Sequence, residues 1–125
     1  MIFAYVSRKH KYKELELAFL FISLPFLIDA LGNLFGWYTI GNSYSIVWYD
    51  NLSHFLGAFF VALGIFNIGK VAFRTSSLIL IAICAFGVSF AIGTLFGVSE
   101  YYSDLWIKTA MVGGLVDSIT DNVYD

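Results

Sequence analysis

Residues 50–66 read DNLSHFLGAFFVALGIF, and this stretch decides the fold of the chain. An acid and a histidine, Asp50 and His54, stand four residues apart at the mouth of an apolar run. That run, residues 52–68, approaches the roughly 20 residues that a helix needs to cross the hydrocarbon core of a bilayer. Because residues four apart share one face of a helix, the stretch predicts a membrane-spanning helix with a polar pair at its end.

The composition of the whole chain favours the same class of protein. Of its 125 residues, 59% are hydrophobic and 13% are charged, about half the charged share of an ordinary soluble domain. The mean hydropathy is +0.79. The net charge of −2, without a basic patch interleaved with aromatic residues, argues against a nucleic-acid partner. The composition therefore predicts an integral membrane protein.

Two further apolar segments and one ambiguous segment accompany the central run. Residues 15–38 and 76–98 are long enough to span a bilayer, so together with the central run they predict three full transmembrane helices. Residues 115–125 are predicted to form a short or truncated fourth helix. We expect residues 1–125 to form a single transmembrane domain, an all-α bundle.

The basic residues predict how the bundle is oriented. Six of the seven Lys and Arg residues lie before the first apolar segment or between the second and third: Arg8, Lys9, Lys11, Lys13, Lys70 and Arg74. By the positive-inside rule, the N-terminus and the 70–74 turn are expected to be cytoplasmic. The connection from 39 to 49 carries no basic residue and is rich in Trp and Tyr, which is typical of an interfacial belt. Lys108 opposes this orientation mildly.

Polar residues in and beside the apolar segments recur at a spacing of four. The pairs are Asp29 and Asn33, Asp50 and His54, Glu100 and Asp104, and Asp117 and Asp121. With the predicted orientation, the first three pairs all lie in the outer half of the membrane or at its outer interface. If residues 101–112 form an interfacial segment, the fourth pair joins that level. A helix over residues 106–125 would instead bury Asp117 deep in lipid, at a cost of several kcal/mol, so we favour the interfacial segment.

This polar set predicts a candidate metal site. One imidazole among several carboxylates suits one divalent ion such as Zn, Mn or Fe. The candidate ligands are Asp50, His54, Glu100, Asp117 and Asp121, with Asp29 and Asn33 as supporting polar residues. Two alternatives stay open: a hydrogen-bonded cluster that pins the helices together, and a proton or ion pathway. No signature of a haem, flavin or nucleotide site is present.

Four motifs give the chain a family resemblance: LPFLIDALGNLFGWY, WYDNLSHFLGAFF, SEYY and VDSITD. With these, the chain from about Leu24 onward resembles the family of small uncharacterised prokaryotic multi-pass membrane proteins that includes the inner-membrane protein YjdF and is distantly VanZ-like. The resemblance implies a bundle of four or more helices in a prokaryotic cell membrane. It also implies that the last motif opens a longer helix than residues 115–125 can form. It supports the importance of the polar set and implies no reaction.

The function expected from the sequence is that of an accessory or structural subunit of a larger membrane complex, without catalytic residues of its own. Its partners would be the lipid bilayer and other membrane protein subunits. Small residues, including Gly57, Gly64 and Gly97, would allow close helix approach inside the chain or to a partner. The alternatives are a metal-dependent enzyme acting on a lipid head group and a component of an ion or proton pathway. No phosphate-binding glycine loop or nucleophile elbow is present.

Overall fold

The structure of the protein is a computed structural model. It describes residues 2–38, 46, 48–73, 76–107 and 123. The chain forms three helices in this part: α1 (Ile2–Phe35), α2 (Tyr49–Ala72) and α3 (Leu78–Ile107). Over the described ranges there is no strand, so the predicted all-α fold is confirmed. Apart from Val123, the predicted fourth helix over 115–125 lies outside these ranges.

Each helix contains a segment long and apolar enough to cross a membrane. The three segments are Tyr12–Phe35, Tyr49–Ala72 and Leu78–Ser103, with mean hydropathies of 1.9, 1.8 and 2.5. The predicted three spans are therefore confirmed. The 34 residues of α1 rise about 51 Å, well beyond the roughly 30 Å of the hydrocarbon core. Its N-terminal part therefore continues as a helix beyond its own membrane span.

The helix boundaries differ from the predicted ones. We expected the third span to end at 98 and residues 101–112 to form an interfacial segment. The interfacial position stays a prediction, but there is no break in the helix between 98 and residues 101–107. These residues continue α3 to Ile107, because no Gly or Pro follows Gly97 within the helix. Hydropathy marks where the apolar segment ends, whereas the backbone hydrogen bonds continue into polar sequence. Glu100 consequently lies inside a helix.

A glycine ends α1 and turns the chain toward α2. Gly36 has a φ of 68°, the left-handed conformation that glycine adopts without steric cost. The amide of Gly36 donates to the carbonyl of Asn33, and that of Trp37 donates to the carbonyl of Gly32. These two bonds form a Schellman motif. The motif directs Trp37 and the following residue back toward the start of α2.

The three helices form a row with α2 in the middle. The described parts of α1 and α3 both pack on α2 and do not contact each other. A Cβ placed on Gly64 would lie 2.5 Å from Cγ1 of Ile22, so this glycine permits the close approach of α1. On the other side, the Ser89 hydroxyl donates to the carbonyl of Ala58 at 2.6 Å. Small residues thus bring helices together within the chain.

Candidate functional site

The register of α1 against α2 sets the level of the polar pairs. Gly57 faces Pro25, since a Cβ on Gly57 would lie 4.0 Å from the Pro25 Cβ. The two helices are antiparallel neighbours. His54 lies three residues before Gly57 and is therefore level with Ile28, three residues after Pro25. Asp50 lies seven residues before Gly57 and is level with Gly32. Each lies one residue from a member of the pair Asp29 and Asn33, so the first two polar pairs occupy one level.

The pair on α1 is joined by its own hydrogen bonds. The Asn33 amide donates to the Asp29 carboxylate at 3.2 Å and to the Asp29 carbonyl at 3.0 Å. Both residues are exposed. The spacing of four therefore brings these side chains to one face, as the sequence predicted.

The pair on α2 lies in the first two turns of that helix. The Nε2 of His54 is 3.9 Å from Oδ1 of Asp50, beyond hydrogen-bond distance. The His54 side chain is 13% exposed and that of Asp50 is 40% exposed. The residue that caps α2 is Trp48, which makes no side-chain capping bond. Asp50 is inside the first turn, where the helix dipole favours a carboxylate.

Two tyrosines connect the pairs, and sequence reasoning did not single them out. The Tyr49 hydroxyl donates to the carbonyl of Ile28 at 2.7 Å. The Tyr49 ring meets the rings of Trp37 and Tyr38 edge-on, with centroids 4.9 and 5.1 Å away. The aromatic residues near this connection were predicted only as an interfacial belt. They also hold the end of α1 against the start of α2.

Tyr38 carries the connection to polar groups on both helices. Its phenol hydrogen-bonds to the side chains of Asp29 on α1 and Ser53 on α2. Burial, reinforced by the negative charge of Asp29, raises the pKa of Tyr38 well above its usual value of about 10. The bond to Ser53 opposes this shift. Tyr38 is therefore a neutral hydrogen-bonding group at neutral pH.

Gly32 makes room for both tyrosines. A Cβ at this position would lie 2.5 Å from a ring carbon of Tyr38 and would also collide with the Tyr49 ring. Gly32 is buried inside a helix, where glycine costs roughly 1 kcal/mol relative to alanine. A glycine between the two members of a polar pair was the sequence signal that could have pointed to this packing.

The register of α3 brings Glu100 to the same end of the row. Ser89 faces Ala58, and the two helices run antiparallel. Glu100 lies eleven residues beyond Ser89, and Asp50 lies eight residues before Ala58, so Glu100 is about 4.5 Å beyond the level of Asp50 along the axis. The backbone thus places Glu100 within about one helical turn of the level of Asp50, and about two turns from that of His54.

The proposed ligand set is only partly within the described residues. In those residues, no group of three or more His, Cys, Asp or Glu side chains is arranged to hold a metal ion. Asp50, His54 and Glu100 each have an interaction partner. Asp117, Asp121 and the Asp104 side chain lie outside what the structure describes. The five-residue site therefore stays a prediction.

A second polar cluster lies at the other end of the α1–α2 pair. The Lys70 ammonium donates to the Glu14 carboxylate at 2.6 Å and to the Asn67 side-chain oxygen at 3.2 Å. It also lies 5.4 Å from the centroid of the Phe66 ring. The 21 steps from Tyr49 to Lys70 rise about 31 Å, the thickness of a hydrocarbon core. From the sequence, Lys70 predicted only the orientation of the bundle.

Comparison with known proteins places the chain in a family. The family model described as "Predicted membrane protein (DUF2238)" matches residues 1–125. No curated protein matches the chain, and no solved structure does. The family description agrees with the three spanning helices and with the resemblance to a small multi-pass membrane family. The chain belongs to the DUF2238 family of predicted membrane proteins.

Proposed function

We propose that this protein is a non-catalytic accessory subunit of a larger membrane complex and binds its partner at the end of the row that carries Asp29, Asp50 and His54. The observation that carries this proposal is the arrangement of the three described helices in a row with α2 in the middle. Because α1 and α3 each contact only α2, the described helices cover one another on few sides. Between 11% and 17% of the residues in the three spanning segments are buried. As far as the described residues go, the other faces of these helices are left to lipid, to the rest of the chain or to a partner helix.

The charges at this end favour a partner over lipid alone. Asp29 is exposed and the Asp50 side chain is 40% exposed, although both stand at the end of spanning segments. Carboxylates at such positions are costly in lipid and are usually paired or hydrated. Within the described ranges, the Lys and Arg positions (8, 9, 11, 13 and 70) all belong to the opposite end of the row. A partner with basic or amide side chains would stabilise this acidic set.

Purification from the native membrane tests the subunit role. A tagged chain extracted in mild detergent should migrate on native electrophoresis well above its own 14.0 kDa and should carry defined co-purifying chains. We expect the double variant Asp50→Asn/His54→Gln to lose them. The variant Glu14→Gln/Lys70→Met is the matched control, since it removes two polar partners at the opposite end. A lone monodisperse chain, or equal loss in both variants, would contradict the proposal.

A divalent metal is the second candidate for this end of the row. The Asp50 oxygen and the His54 nitrogen are of the types that zinc binds, and 3.9 Å separates them on one helix. Two such ligands of a tetrahedral zinc ion are about 3.3–3.5 Å apart, so a shift of roughly half an ångström would bring them into position. Glu100 of α3, about 4.5 Å beyond Asp50 along the axis, is the residue that we propose as a third ligand.

Elemental analysis of the purified protein tests the metal. We expect about one equivalent of zinc, manganese or iron in the parent and its loss in both Asp50→Ala and His54→Ala. Glu14→Ala is the control, because Glu14 lies at the other end and binds Lys70. Metal-free parent protein would exclude this site. It would also exclude a metal-dependent reaction on a lipid head group here, because that reaction needs the same ion.

A further inference from the structure

The part of α1 that precedes its membrane span is basic and helical. The helix begins at Ile2, whereas the spanning segment begins at Tyr12. Four Lys and Arg residues belong to this part of the helix or to the first turn of the span: Arg8, Lys9, Lys11 and Lys13. The five steps from position 8 to position 13 rise about 7.5 Å along the axis.

This rise matches the thickness of one head-group layer. A bilayer of about 40–45 Å with a core of about 30 Å leaves roughly 5–7 Å for the head groups on each side. The Lys70–Glu14 contact joins two charged groups from neighbouring helices directly after the basic positions, and we infer that the edge of the hydrocarbon lies there. The backbone therefore carries positions 8–13 across the head-group layer.

The two acids of the sequence up to position 28 can offset only part of this positive charge. The Glu14 carboxylate contacts the Lys70 ammonium of α2 at 2.6 Å, so the negative charge of Glu14 is paired within the α1–α2 pair. Glu16 is the one other acid in residues 1–28 of the sequence. Glu16 is thus the one acid in this stretch that does not pair with Lys70, compared with four basic positions.

We propose that the basic part of α1 binds the anionic head groups of surrounding phospholipids. Clusters of Lys and Arg directly beside a transmembrane helix attract anionic lipid, at roughly a fivefold preference for each residue near the surface. Steps of about 100° distribute positions 8, 9, 11 and 13 around the helix axis instead of along one stripe. Such a collar fits an annulus of lipid head groups. The inference does not depend on the proposed subunit role.

Lipid selectivity of the full chain in nanodiscs tests this surface. The measured quantity is the association constant of spin-labelled phosphatidylglycerol relative to phosphatidylcholine. We expect the parent to prefer phosphatidylglycerol, and R8Q/K9Q/K11Q/K13Q to lose at least about fivefold of that preference. High salt should weaken the preference of the parent in the same direction. Reconstitution makes the result independent of how each variant inserts in a cell.

K108Q is the matched control, because it removes one positive charge outside this surface and should keep the preference. R8Q/K9Q leaves Lys11 and Lys13 in place and should give an intermediate value, which protects the test if the fourfold variant folds poorly. A parent without preference for phosphatidylglycerol would overturn the inference. So would a fourfold variant, helical by circular dichroism, that keeps the full preference.

Discussion

The two ends of the α1–α2 pair are fastened by different chemistry. At the basic end, defined by Glu14, Asn67 and Lys70, opposite charges meet at 2.6 Å and satisfy each other across the two helices. At the acidic end, defined by Asp29, Asn33, Asp50 and His54 with Tyr38 and Tyr49, aromatic rings and hydrogen bonds hold the helices while two acids share one level. The comparison shows that helix pairing at the acidic end does not require its acids to form an ion pair with a Lys or Arg of the neighbouring helix. Those acids are therefore the better candidates for function.

The largest expected effect separates packing at the acidic end from charge. Gly32→Leu should lower the free energy of unfolding by about 2–3 kcal/mol, because the new side chain collides with the rings of Tyr38 and Tyr49. Reversible unfolding in mixed micelles measures this change. Gly97→Leu is the control, since no described group outside the adjoining turns of α3 lies within 4 Å of a Cβ at that position. Similar losses in both variants would mean that Gly32 is not a packing site.

The next effect tests whether the basic end is held by its ion pair. Lys70→Met should cost about 1–2 kcal/mol of unfolding free energy, because it leaves the Glu14 carboxylate without its contact from α2. The cost is below that of a fully buried pair, since the two side chains are 29% and 25% exposed. Adding Glu14→Gln should restore at least half of the loss. A double variant as unstable as the sum of its single variants would argue against the pairing.

A smaller effect tests the hydrogen bond that closes the acidic end. Tyr49→Phe keeps the ring contacts and removes the bond to the Ile28 carbonyl, which should cost about 1 kcal/mol. Tyr102→Phe changes an exposed tyrosine on α3 and should leave the unfolding free energy nearly unchanged. If the two substitutions had equal effects, the Tyr49 hydroxyl would have no special role.

The smallest expected effect is a dependence of stability on pH that appears only in the alkaline range. The raised pKa of Tyr38 means that the folded protein keeps this phenol protonated when the unfolded chain, with a pKa near 10, begins to ionise. The contribution of Tyr38 to the free energy of unfolding is fully present below pH 10. It is lost as the pH rises above that value toward the pKa of Tyr38 in the folded protein. Unfolding measured between pH 9 and pH 11 should show a decline that Tyr38→Phe reduces. An unchanged decline in that variant would assign it to other groups.

The sequence predicted those features that depend on local pattern. Hydropathy identified three spans, and the spacing of four placed Asn33 on the same face as Asp29. The helix ends were less predictable, because backbone hydrogen bonding continues past the apolar runs and places Glu100 inside α3. Contacts between helices were not predictable, because they join residues far apart in sequence. The Lys70–Glu14 pair, 56 residues apart, is the clearest case.

The tyrosine contacts of the acidic end are also contacts between helices that the sequence did not predict. Nothing local in the sequence states that Tyr49 reaches the carbonyl of Ile28 or that Gly32 must lack a side chain. Aromatic residues near a membrane interface are common, and their composition predicts a belt rather than a specific contact. The metal ligands proposed from sequence stay a prediction, since two of the five, Asp117 and Asp121, lie outside the described residues.

Cysteine cross-linking tests most directly whether the two polar pairs share one level. In a Cys84→Ser background, Asp29→Cys/His54→Cys should be joined by a short bifunctional thiol reagent. Asp29→Cys/Lys70→Cys should not react, because 16 residues of α2, about 24 Å, separate positions 54 and 70 along the helix. The account predicts efficient cross-linking of the first pair alone. Cross-linking of the second pair, or of neither, would contradict it.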